Sequence, residues 1–134
     1  MNQESNLDDE LKPTGELCLR LTALSKDTNG YGDIYGGWLM QQMDLAGSVL
    51  AEETAEGRVV TAAVQAINFL RPVPLGSNVS CYCDIVAIGH ASVEINVEAW
   101  VTSKGKSPFQ QKVADGRFYF VAVNDQGRTR RIPR

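Results

Sequence analysis

From Glu16 to Leu24 the chain alternates, with Leu17, Leu19 and Leu21 on one side, which is the period of a strand with one buried face. The next thirteen positions, Ser25 to Gly37, break that pattern with polar residues and with Gly30, Gly32, Gly36 and Gly37, and they read as a loop. From Trp38 to about Glu53 apolar residues crowd together, without proline and with Gly47 as the one glycine. That stretch predicts a helix, apolar nearly all round and therefore buried. Four strands are expected afterwards, at Arg58–Leu70, Asn78–Ile88, Val93–Val101 and Phe118–Val123. Turns or loops at Arg71–Pro74, Gly89-His90, Ser103–Pro108 and Asn124–Gly127 separate or close them. Short links favour antiparallel pairing, so the fold class is α+β, an antiparallel sheet carrying one long helix. One helix covers only part of such a sheet, and the apolar surface left over predicts self-association.

The length of 134 residues fits one domain. Residues 1–15 read as a flexible acidic leader and 16–134 as a single domain. A net charge of -3 argues against nucleic acid as a partner. The charge is unevenly placed: Glu4, Asp8, Asp9 and Glu10 lie at the head, and Arg128, Arg130, Arg131 and Arg134 at the tail. Such ends are either solvated or, for the arginines, turned toward an anionic ligand. Cys18, Cys81 and Cys83 show neither a disulfide framework nor zinc spacing, and fit reduced structural thiols. No apolar run reaches the roughly 18 residues of a membrane span and no signal peptide is visible, so a cytoplasmic location is expected.

Asp44 is the leading candidate for chemistry. Between Asp33 and Glu52 it is the only charged residue. Aspartate is a poor residue for a helix interior, and a buried carboxylate is costly unless it is bonded. The alternative is an exposed Asp on a wet stripe with Gln41, Ser48 and Glu52. Gly36 and Gly37 stand where the helix begins, at the end that offers unpaired N–H groups and the positive end of the dipole, so they can form an oxyanion site or simply a turn. Seven residues separate Gly37 from Asp44, about 10 Å along a helix axis. If both groups act on one carbon, they come from two helices of two subunits.

The run Asp27-Thr28-Asn29-Gly30-Tyr31-Gly32-Asp33-Ile34-Tyr35-Gly36-Gly37-Trp38-Leu39-Met40-Gln41-Gln42-Met43-Asp44 resembles the hot-dog acyl-CoA thioesterases of the bacterial YciA-like group. Further similarity lies in Gly57–Thr61, Asn68–Val73, Glu98–Val101 and Phe120–Arg134, so the resemblance covers roughly residues 16–134. It implies a hot-dog fold, an antiparallel sheet wrapped around the central helix, with homodimers often assembled into a hexamer. It implies broad-specificity hydrolysis of acyl-CoA, with no cofactor beyond the CoA of the substrate itself. Asp44 would be the general base or nucleophile, and Asn29 would hold water or thioester from the other subunit. Gly36 and Gly37 would supply the backbone donor, and Thr61 is either a water-positioning neighbour or an ordinary strand threonine. Two positions depart from the pattern. The turn Gly89-His90-Ala91-Ser92 carries histidine where relatives often have a fixed charge, and Gly30-Tyr31 stands where they often show Ala-Asn.

A thioester is activated enough for attack by water given a base and donors for the oxyanion. General-base attack and a covalent anhydride both remain open. There is one histidine, no zinc motif and no Gly-x-Ser-x-Gly. CoA is polyanionic, and Arg71, His90, Ser92, Lys104, Lys106, Arg128, Arg130 and Arg131 are candidates to meet it, with Arg71 favoured by the resemblance. Leu39, Met40 and Met43 could line the acyl path, or simply pack the core. Two rivals stand beside the thioesterase: a hydratase or dehydratase on the same fold, disfavoured because this helix has no histidine, and a non-catalytic acyl-CoA-binding module.

Overall fold

A computed structural model describes residues 12–102 and 110–134; the expected loop at Ser103–Pro108 and residues 1–11 of the acidic leader lie outside the described residues. The elements are β1 (Glu16–Thr22), α1 (Gly36–Ala55), β2 (Val59–Phe69), β3 (Asn78–Ile88), β4 (Ser92–Thr102) and β5 (Gln110–Ala122), with a single 3-10 turn at Ser25–Asp27 before the helix. All strands join one antiparallel sheet in the order β1-β3-β4-β5-β2. β3, β4 and β5 form a meander, and β2 lies beyond β5, so β1 and β2 are the two edges.

The helix packs against all five strands. Leu39, Met43, Ala46, Gly47, Leu50 and Ala51 are buried, the spacing of one helical stripe. Phe118, Phe120, Val93, Ile95 and Val97 meet that stripe and are fully buried. Gly47 permits the close approach, because a Cβ there would lie 3.0 Å from the Phe120 ring. The helix ends in a left-handed Glu56, and the Arg130 guanidinium donates to the Ala55 carbonyl at 2.9 Å. That places a cation and a donor where the dipole is negative.

Three expectations change. The helix starts at Gly36 instead of Trp38, so the glycine pair forms its first turn. It is also not buried all round, since Met40, Leu45 and Val49 are 39–50% exposed on its outer side. β5 begins at Gln110, well before Phe118. Its polar residues belong on the outer face of the sheet, where Lys112 pairs with Asp115 and Arg117 with Glu94. The Glu94 carboxylate also accepts the Tyr119 hydroxyl, and the Arg117 bond holds its pKa below the ordinary value. Glu98 on the same face accepts the Trp100 indole N–H at 2.9 Å and the Thr14 amide at 3.1 Å.

The three cysteines are free. They lie together at the β1–β3 pairing, where burial pushes Cys81 up to about 12 and, with Cys18 beside it, raises Cys83 as well.

Candidate active site

Asp44 sits at mid-helix on the stripe between exposed Gln41 and Glu52 and is itself half-buried. The stripe faces the first part of β2, and there the Thr61 hydroxyl donates to Asp44 Oδ1 at 2.7 Å. An ionised carboxylate has about four lone-pair sites. Thr61 occupies one of them and fixes the plane of the group. Thr61 can do this because a register shift between Thr61 and Ala63 lets β2 turn toward the helix. Its partner across the sheet, Phe120, packs under Gly47 one turn further along α1.

Asn29 belongs to the loop before the helix. Thr28 bridges Ile34, Asp33 bridges Pro74, and the Tyr35 amide donates to the Asp27 carbonyl, so both ends of the loop are tied down. Asn29 Oδ1 accepts two backbone N–H groups, from Tyr31 at 2.8 Å and Asp33 at 3.2 Å. Two donors require the oxygen on that side. The carboxamide nitrogen is therefore the other of the two amide atoms. Tyr31 at the loop tip is 92% exposed.

Gly36 and Gly37 open α1 after Tyr35, and no side chain caps the first turn. The space over Gly37 is empty, since an added Cβ would meet nothing within 4 Å. Gly37 is itself exposed, and the first N–H groups of a helix have no partner within it. Over Gly36 lies the ring of Phe69, 3.5 Å from where a Cβ would be. Gly36, Phe69 and Arg71 line one cavity of about 260 Å³ at this end of the helix. Arg71 also donates to the Lys112 carbonyl, which anchors one side of its guanidinium.

The other expected contacts lie elsewhere. Phe69 pairs with Ala114, and Ala114 with Ala99, whereas Ser92 pairs with Val121. Seven residues of β4 therefore separate the Arg71 end from the Ser92 end, roughly 24 Å. His90 and Ser92 form the β3–β4 turn there, and Arg128 is exposed in the turn after β5. Two of the tail arginines bond to backbone carbonyls of the same chain. Arg130 donates to the carbonyls of Ala55, Arg58 and Val123, and Arg134 to those of Ile88 and Gly89. Met43 is fully buried in the core while Met40 is half-exposed. Among the described residues no group of three or more His, Cys, Asp or Glu side chains could hold a metal ion, and no helix is long and apolar enough to cross a membrane.

One chain thus joins Asp44 with Thr61, and Gly36 with Phe69 and Arg71, but keeps the carboxylate about 10 Å from the glycine pair. Tyr35 and Phe69 were not expected at the site. Only the neighbouring resemblance at Asn68–Val73 hinted at the second.

A helix laid across an antiparallel five-stranded sheet, with a carboxylate at mid-helix and free amides at its start, is the arrangement of hot-dog thioesterases. The chain belongs to that family: the model of the Thioesterase superfamily matches residues 31–107. It is 48% identical over 123 residues to the acyl-CoA thioester hydrolase YciA of Escherichia coli K12, covering 90% of this chain and 93% of that one. Among solved structures it is similar to HI0827, a hexameric broad-specificity acyl-coenzyme A thioesterase, with a TM-score of 0.85 and 46% identity over 92% of this chain and 84% of that one. An acyl-CoA hydrolase from Staphylococcus aureus, solved with butyryl coenzyme A and coenzyme A, is 26% identical with a TM-score of 0.77, covering 86% of this chain and 70% of that one. It has also been solved as alanine mutants of one aspartate, one asparagine and one threonine.

Proposed function

We propose that this protein hydrolyses acyl-CoA thioesters of varied chain length to free acids and CoA, at a site shared between two copies of the chain. The observation that carries this reading is the Thr61–Asp44 hydrogen bond of 2.7 Å, which orients a half-buried carboxylate on an otherwise uncharged stretch of helix. Asp44 takes a proton from water as the water oxygen attacks the thioester carbon. The carbonyl oxygen, negative in the transition state, receives the Gly37 N–H, with the Asn29 carboxamide nitrogen as a second donor. The C–S bond then breaks and the thiolate leaves with a proton.

Because Asp44 and Gly37 of one chain are about 10 Å apart, the donors come from the neighbouring copy. Support for pairing comes from the free edge of β2, eleven residues long, and from the half-exposed Leu45, Val49 and Val60. We take the dimer as the unit of a hexamer, the assembly recorded for HI0827. The three mutated residues of the Staphylococcus aureus hydrolase are spaced along their chain as Asn29, Asp44 and Thr61 are spaced here, which supports the assignment. CoA is part of the substrate and is released as a product, and base, water and amide donors suffice without a further cofactor or metal. Arg71 is the proposed CoA contact near the helix start, and His90, Ser92 and Arg128 are the proposed contacts for the CoA phosphates at the far end. Free thiols and an acyl-CoA substrate suit the cytoplasm.

The test is thiol release from a panel of acyl-CoAs. Asp44→Ala and Asp44→Asn are expected to lose roughly 10² to 10⁴ in turnover. Wild-type rates in both variants refute the assignment.

A further inference from the structure

The cavity at the start of α1 has a two-part character. Its deep wall is made of buried Ile34, Leu39 and Val73. Its mouth is made of large apolar side chains left wet: Tyr35 is 53% exposed, Phe69 52% and Leu70 38%. Phe69 lies directly over Gly36, between the apolar wall and the uncapped amides of the first turn. The strand leading to Phe69 is distorted: Ala66, three residues earlier, has a φ of 53°, unusual for a residue with a Cβ. That bulge inserts the extra residue that turns Phe69 toward the helix end.

An acyl thioester has the matching polarity, with one carbonyl oxygen to meet amides and an alkyl tail to leave water. We propose that this cavity takes the acyl tail and that Phe69 sets the chain length the enzyme prefers, with Leu70 completing the mouth; this rests on the thioesterase reading above. A cavity of about 150 Å³ in a protein interior holds benzene, so the 260 Å³ here corresponds to roughly eight to ten carbons. Within that length each added methylene raises kcat/KM about fourfold, the value of one buried CH₂. Beyond it the ring blocks the path and the gain stops.

The experiment measures kcat/KM for straight-chain acyl-CoAs from acetyl to palmitoyl with wild type, Phe69→Ala, Phe69→Trp and Leu70→Ala. Phe69 and Leu70 are both partly exposed in the chain, and folding of the three variants is checked by circular dichroism and by oligomer size. Phe69→Ala is expected to move the break in the profile about four carbons longer, Phe69→Trp to move it shorter, and Leu70→Ala to lengthen it by less. Profiles that superimpose on wild type for all three variants overturn the role of Phe69 and of the cavity while leaving the hydrolase reading intact. A folded wild type that releases no thiol from any member of the series overturns both.

Discussion

Replacing Thr61 by valine keeps the shape of the side chain and removes only the hydroxyl that donates to Asp44 Oδ1 at 2.7 Å. Thr61 is at the surface and the change leaves no cavity, so the fold is expected to persist. The carboxylate, however, is left free to rotate about its terminal torsion. A hydrogen bond to a charged group contributes about 1.5–3 kcal/mol. If that energy serves to hold the base in its reactive plane, kcat falls by roughly 10- to 150-fold. KM changes little, because Thr61 acts through Asp44 and does not touch the substrate in this account. Thr61→Ser restores the donor and is expected to recover most of the loss. The assay is steady-state CoA release followed with a chromogenic thiol reagent, with melting temperatures as a control. A folded Thr61→Val enzyme with wild-type kcat would refute the positioning argument, as would Thr61→Ser behaving like Thr61→Val.

Three more outcomes follow from the packing. Gly47→Ala places a methyl 3.0 Å from the Phe120 ring; overpacking of about 1–3 kcal/mol outweighs a helix-propensity gain of about 1 kcal/mol, and urea unfolding is expected to show net destabilisation. Arg130→Lys keeps the charge at the helix end but loses the fork that reaches the Ala55, Arg58 and Val123 carbonyls; a loss of about 1–3 kcal/mol and faster proteolysis of the C-terminal tail are expected. Burial pushes the Cys81 thiol up to about 12 from 9.0. The folded state therefore keeps its proton where the unfolded chain loses it, so this contribution to stability is intact below pH 9 and declines as pH rises toward 12. Denaturation midpoints across that range check the sign, and a Cys81→Ala variant is expected to flatten the decline.

Much of this arrangement is legible in the chain. The alternation at Val93–Val101 and the apolar density after Trp38 specify β4 and α1, because burial of one face imposes its period directly. β5 is harder to see. Lys112, Asp115, Gly116 and Arg117 carry no apolar alternation that would mark a strand, yet all four are paired within the sheet. Their polarity belongs to the outer face, and Gly116 is there because Ile67 of the bulged β2 would lie 2.8 Å from a Cβ. Nothing local records that contact. The lone charge of Asp44 and the glycine pair stand out from the helix composition, and if both act on one carbon their spacing calls for a second subunit. The Thr61 contact is a matter of how one strand lies under one helix, 17 residues away, and only the fold determines it. Arg130 and Arg134 read as solvated or ligand-facing in the sequence; the tail folds back so that both donate to backbone carbonyls, Arg130 half-buried and Arg134 still exposed.

The central claim is that each site takes its carboxylate from one copy and its carboxamide donor from another. Subunit mixing tests this with Asp44→Ala and Asn29→Asp, the latter keeping the oxygen that the Tyr31 and Asp33 amides require. Each variant alone is expected to be nearly inactive. After co-refolding in equal amounts, half of the dimers are mixed and hold one intact site of two, so activity should return to about a quarter of wild type. Mixed oligomers verified by differential tags that stay as inactive as their parents would contradict the shared site.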